Sequence, residues 1–491
     1  MRCRRIVLAV KFCMVLAVAA AVAPGLSAEG LPGNHATPEV SIFHSFPITT
    51  RSPEARKLVE TALFQYENAL ADEAIANARK ATEKDPEFAL AYAVLSFIAR
   101  RQQPLPQALR KAKELAPRAA ADEQLLIRWM TGLQEGDILP AIAAMNDLLA
   151  RYPNETHIIY LAGEWLYFQQ SFDRSKELLK QVISQDPDFP AALNMLGYTY
   201  VSEGHPEEAA AAMKHYVAVL PKQPNPEDSF GEISRYAGDD VASLEHYAHA
   251  LAIDPHFYTS QLGLGDTSAM MGNFSRAREE YDKALKLTDA PRELGHIRVQ
   301  KALVFCREGN RAAFDKELET LEQTSRDAYA LAEIKLTRAL LAENPDAELP
   351  ILDRAIAFLG RPEHEMMEAD RRVQLSAALN ERVRILVAAG KQDAAAAVAR
   401  QLQTMAAHHR DQAIEANSHT AQGYVLFARG MFPEAAAEFS NNPQSPLAVR
   451  QQALALEKSG DAARASSVRN RLRFLRAPTA EWMVAARKQV Q

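Results

Sequence analysis

Cysteine is scarce in this chain: three residues in 491, and two of them, Cys3 and Cys13, fall in the apolar N-terminal stretch. With that stretch removed Cys306 stands alone, which excludes an internal disulfide even in an oxidising compartment. A lone cysteine in such a chain serves as a small apolar residue between packed helices. Aromatic residues make up only 7%, and the Ala-rich remainder with 24% charged residues favours helix over sheet. Chemical motifs are missing as well. There is no Gly-x-Ser-x-Gly elbow, no phosphate-cradling Gly-Lys-Ser/Thr loop and no His-Glu-x-x-His. Gly263-Leu-Gly265-Asp-Thr-Ser268 begins like a dinucleotide fingerprint, then places Ser268 where the third glycine belongs and lacks a preceding strand. The paired acids Asp239-Asp240 and Glu279-Glu280 read as solvated helix ends and faces, with no cleft to raise one pKa.

Histidine is the one metal-binding residue type that clusters. His246, His249 and His256 fall within eleven positions, and the i, i+3 spacing of the first two puts them on one helix face. No carboxylate or cysteine stands at ligand spacing, so they read as surface histidines, and no metal or cofactor is expected. His408-His409 is weaker still, because adjacent helical residues point in different directions.

The N-terminus carries Arg2, Arg4 and Arg5, then an apolar run from Phe12 to Ala23, then Gly25-Leu26-Ser27-Ala28 before Glu29. Residues 1–28 therefore read as a secretory signal cleaved near Ala28, and the mature protein is expected to be periplasmic or secreted. An uncleaved anchor is the competing reading, against which the run is shorter than the ~20 residues that a spanning helix needs. Cleavage removes Arg2, Arg4, Arg5 and Lys11 and no acid, which moves the formal charge from −6 to −10. A chain this acidic is a poor nonspecific binder of nucleic acid, and none is expected as a partner.

What the chain has is a ruler. Gly163, Gly197, Gly231 and Gly265 stand 34 residues apart, and Pro153, Pro187, Pro221 and Pro255 keep the same step. Gly204, Gly238 and Gly272 keep it again. In residues 190–221 the pattern reads Leu193-x2-Leu196-Gly197-x2-Tyr200, then Gly204, Ala209, Met213 and Pro221. The helical glycine lets two helices touch, the second lies near their turn, and the proline cannot continue the second helix. These residues resemble the tetratricopeptide repeat, a helix–turn–helix unit that buries its apolar face by stacking on its neighbours. The expected fold is all-α, a right-handed superhelical solenoid of such pairs, regular over 156–289.

The flanks extend that reading. Residues 29–51, with Pro32, Gly33, Pro38 and Pro47, read as an extended leader, and order is expected from Ser52, a good N-cap followed by Pro53 and Glu54. Residues 52–289 form the array, with less regular pairs over 52–153. Past 290 the ruler fades, but Gly309, Gly390, Gly430 and Gly460 each fall between two amphipathic stretches. Residues 290–476 read as degenerate pairs with longer helices around 364–389 and 391–408; a separate all-α domain is the alternative. Residues 477–491 read as a C-terminal cap, with Trp482 and Met483 covering the last apolar surface. The stretches at 48–55 and 477–482 resemble the flanks of exported bacterial tetratricopeptide proteins of unassigned activity.

In that family the first helices of successive units line a concave groove. Carried over in register, its positions fall on His157, Tyr160, Glu164, Tyr167 and Phe168; on Asn194, Tyr198 and Ser202; on Asp228, Glu232, Arg235 and Tyr236; and on Asp266 and Met270. The set is aromatic and acidic, which suits a neutral or basic segment of a protein or peptide partner. The family's clamp for C-terminal carboxylates needs Lys and Asn, and Asn194 alone does not supply it. The bland alternative for each tyrosine is packing against the next repeat. The resemblance implies an exported, non-enzymatic scaffold. Two other readings stand beside it: a glycan or cell-wall accessory that stacks sugars on Tyr160, Trp165 and Tyr167, and an enzyme or enzyme subunit with its site in 290–470. Near the C-terminus, Arg469, Arg473 and Arg476 share a helical spacing, with Arg464, Arg471, Arg487 and Lys488 nearby. Such a face fits weak contact with anionic lipid, or a solvated cap.

Overall fold

The computed structural model describes residues 42–100, 105–169, 171–342, 344–362, 366–409 and 411–486. The expected signal, Pro104, Arg487 and Lys488 lie outside them. Among the described residues there are 25 α-helices and no strand, and each helix but the last, Ala480–Ala486, packs on its neighbours in sequence. Among the described residues no helix is long and apolar enough to cross a membrane.

The ruler has a steric cause. Gly163, Gly197, Gly231 and Gly265 each face a larger side chain sixteen residues on, namely Leu179, Met213, Tyr247 and Tyr281. A β-carbon at Gly265 would stand 2.7 Å from the Tyr281 ring, and one at Gly231 would stand 2.9 Å from the Tyr247 ring. The prolines of the second ruler lie in the loops behind helices that end at Arg151, Gln185, Val219 and Ile253. Gly204 and Gly238 end their helices at φ +86° and +89°, a left-handed conformation that glycine adopts without penalty.

The same devices continue past residue 290. Gly309, Gly390, Gly430 and Gly460 all have positive φ, and each separates two helices. Gly423 faces Phe439 at the same sixteen-residue offset, a ruler glycine that the fading period hides. The register is lost because helix length changes, not because the unit does. Glu368–Ala388 has 21 residues and Gln392–His409 has 18, against 11 to 14 in the regular part.

Two features at the ends depart from expectation. Order does not wait for Ser52: Ile42, Phe43 and Phe46 are buried. The extended leader is latched to Glu155, which accepts from the backbone N–H groups of His44 (3.1 Å), Ser45 and Phe46 (3.2 Å) and from Ser45 Oγ (2.7 Å). Burial works against this carboxylate's charge, but the backbone and hydroxyl donors outweigh it and hold its pKa below the usual range. Glu155→Ala is expected to free residues 42–50, cost about 1–3 kcal/mol of stability and open a new cleavage site there to limited proteolysis. An unchanged digestion pattern would show that the latch is incidental.

The C-terminal segment does not cap the open end either. The helix Ala462–Arg471 gives way to a 3-10 turn at Leu472–Phe474, so Arg469, Arg473 and Arg476 do not share a helix face. Arg469 pairs with Glu457, while Arg476 Nη2 reaches Asp240 Oδ2 at 3.0 Å across 236 residues. The chain then crosses the concave side as a strap. Ala480 is buried and Met483 packs beside it on the cluster built from Val299, Leu303 and Leu341, and Arg450 Nη1 donates to Val484 O at 2.9 Å. Helix Glu368–Ala388 also meets helix Ala121–Glu135, so the solenoid closes on itself. The acids at 240 and 280 are engaged, not solvated: Asp240 holds Arg476, and Glu280, 7% exposed, accepts from Gln261 Nε2 at 2.5 Å.

Candidate functional site

Closure turns the concave face into a hollow of about 490 Å³, lined by first helices from Ala89–Ala99 to Glu368–Ala388 and by residues 477–481 of the strap. That volume lies within the ~300–1,000 Å³ of ordinary ligand sites. Its lining carries nine carboxylates against three arginines and one histidine.

The register assigns much of this wall. Glu164, Tyr167, Phe168, Asp228, Glu232, Arg235, Tyr236 and Asp266 all line the hollow. Six expected groove residues do not. His157 is buried between Phe43 and Phe189, with Nδ1 2.6 Å from Glu67 Oε2. Burial opposes its charge, but the adjacent Glu67 carboxylate prevails and raises its pKa. Tyr160, 2% exposed, belongs to the core. Asn194 lies off the hollow with its Oδ1 buried and unpaired. Tyr198 stands behind the wall and donates its hydroxyl to Glu232 Oε2 at 2.7 Å. Ser202 and Met270 also lie off the lining. Of the three rings weighed for sugar stacking, Trp165 and Tyr167 face the hollow and Tyr160 does not.

The charged centre comes from helices Pro224–Ala237 and Tyr258–Met270. Glu232 Oε1 accepts from Tyr236 OH at 2.9 Å and from Arg235 Nη2 at 3.3 Å. Arg235 is 3% exposed, and its Nε and Nη1 have no hydrogen-bond partner. Burial opposes its charge, but Tyr247, Asp266, Tyr236 and Glu232 around it hold the guanidinium protonated. Asp266 accepts from Tyr281 OH at 2.8 Å, and burial raises its pKa. Asp228 accepts from Ser260 Oγ at 2.5 Å, and burial pushes its pKa up to about 7.

Sequence reasoning missed the other half of the wall. Arg292 and His296 lie on helix Pro291–Arg307, Tyr329 and Glu333 on Ala328–Leu340, and Asp370 on Glu368–Ala388. They follow a longer step. Arg292 lies over the Tyr329 ring at 4.1 Å, and His296 Nδ1 lies 2.8 Å from Glu333 Oε1, each pair 37 residues apart. Burial opposes charge on His296, but Glu333 prevails and raises its pKa. Counting from the helix starts at Pro291 and Ala328, in place of the fixed period, would have found them.

This architecture is that of a helical-repeat solenoid with a partly enclosed acidic and aromatic interior. It carries the tetratricopeptide repeat: the model of that repeat matches residues 166–226. A TPR repeat-containing protein of Bacillus subtilis, YpiA, is 24% identical over 193 residues, which is 37% of this chain. The aligned stretch spans 44% of that relative's own length. Among solved structures, yeast Tom70 is similar over 85% of this chain and 96% of its own, at 14% identity and TM-score 0.42. A tetratricopeptide repeat protein of Parabacteroides merdae is similar over 58% of this chain and 98% of its own, at 15% identity and TM-score 0.35. Tetratricopeptide repeat proteins are generally non-enzymatic scaffolds that bind peptide or protein partners.

Proposed function

We propose that this protein is exported and acts as a non-enzymatic scaffold in the cell envelope, capturing a neutral or basic segment of another protein in the hollow. The carrying observation is the excess of carboxylates over arginines on an aromatic wall. Buried acids beside tyrosine and tryptophan faces attract Lys and Arg side chains through charge and through the ring quadrupole. Export rests on the basic and apolar N-terminal residues.

In-cell crosslinking of the protein, followed by identification of the captured segments, tests the reading. Lys- and Arg-bearing segments are expected. Glu293, on helix Pro291–Arg307, lines the hollow with Glu164 and Asp370. The combined variant Glu164→Gln, Glu293→Gln and Asp370→Asn keeps the shape of the wall, and should weaken capture about tenfold or more while helicity by circular dichroism stays the same. Acidic captured segments, or undiminished capture by the variant, would overturn the proposal. Binding on a glycan array without any protein capture would favour the sugar-binding reading through Trp165 and Tyr167.

A further inference from the structure

Along the chain, no carboxylate stands at ligand spacing from both His246 and His249. Folding supplies one. Glu227 stands in the first turn of helix Pro224–Ala237, and His246 and His249 face it from the paired helix Asp240–Ile253. Glu227 Oε2 lies 2.6 Å from His246 Nδ1 and 3.8 Å from His249 Nδ1, and one ligand atom from each residue lies within 4.8 Å of the others. Among the described residues no other trio of His, Cys, Asp and Glu meets that condition. His256, the third of the sequence cluster, is not part of it; it sits in the next turn beside Asp254.

The geometry points to a binding site for a divalent transition ion of the Zn²⁺, Ni²⁺ or Cu²⁺ kind, held by His246 Nδ1, His249 Nδ1 and the Glu227 carboxylate. Ligand atoms around a tetrahedral zinc stand about 3.4 Å apart, given metal–ligand bonds of about 2.0–2.2 Å. The observed 2.6 and 3.8 Å bracket that spacing, so small side-chain rotations complete the site. The Phe230 ring stacks on His246 at 3.8 Å and 18°, which fixes the imidazole plane while its Nδ1 faces the carboxylate. A simple ion pair accounts for His246 and Glu227. It does not account for His249, whose ring is 65% exposed yet turns the same nitrogen toward the same oxygen. Two imidazoles select against Mg²⁺ and Ca²⁺, which take oxygen ligands. That exposure also gives the ion a path in and leaves room for water at the fourth position.

The bound ion would tie the two helices of one repeat together at the turn next to Asp228. The site is independent of what the hollow captures. Calorimetric titration of the full chain, purified without a histidine tag, with ZnCl₂ and separately with CoCl₂ tests it. One equivalent should bind, and Co²⁺ should show the visible absorption of a four-coordinate ion. His249→Ala and Glu227→Gln should each weaken binding more than about tenfold, while His256→Ala leaves it unchanged. Because His249 is exposed, its variant should melt like the parent without metal, which separates lost ligation from lost fold. No saturable binding by the parent, or equal binding by the His246→Ala/His249→Ala variant, would overturn the site.

Discussion

Replacing Asp228 with asparagine should leave stability near pH 3.5 unchanged and raise it by on the order of 4 kcal/mol at pH 8. The native carboxyl, buried and bonded to Ser260, has its pKa raised from 3.8 to about 7. The folded protein therefore holds a proton that the unfolded chain releases above pH 4. This group's contribution is full below the unfolded value and is lost as pH rises toward about 7. Asparagine keeps the acceptor for Ser260 and never ionises. Urea denaturation of both proteins across that range is the measurement. A difference independent of pH would mean that Asp228 titrates in the folded state as it does in the unfolded chain. At neutral pH the prediction also bears on the hollow, because Asp228 is then near the midpoint of its titration and binding a cationic segment favours the ionised form.

Gly263→Ala is expected to cost about 1–3 kcal/mol, against the gain of about 0.5–1 that alanine normally brings inside a helix. A methyl at that position would stand 2.7 Å from Tyr247 Cε2, with the rest of the ring edge nearer still. The ring cannot yield, because Gly231 lies close on it as well and Tyr247 is 2% exposed. Chemical denaturation decides the sign. A stabilised variant would show that Tyr247 has room to move.

Gly263 also illustrates how the sequence is best read. Its place beside Gly265 resembles a nucleotide motif, yet its role is to admit the ring of Tyr247 from the neighbouring pair. The features that repeat with the helix pair were legible: glycines facing bulk sixteen residues on, left-handed glycines in the turns, prolines behind the second helices. They fixed the register that placed Tyr167, Asp228, Glu232 and Asp266 on the inner side. Tyr160 and His157 escaped it because the leader and the first repeats bury that end of the groove, and a repeat register carries no record of what lies over it. Arg292, His296 and Tyr329 escaped because longer helices stretch the step to 37 residues. Contacts between distant segments leave no period at all. The Glu155 latch spans 109 to 111 residues and the Arg476–Asp240 pair spans 236, so neither is visible before folding.

The strap has a consequence for the order in which the protein becomes competent. A solenoid grows unit by unit, and its early repeats can stack while later ones are still being made. Here residues 477–481 form part of the wall of the hollow. A nascent chain, or one cut short after the last repeat, thus holds every helix of the groove and still lacks a finished chamber. Arrival of residues 477–481 is the step that finishes the wall, and under the proposed function it makes capture depend on the strap having been made.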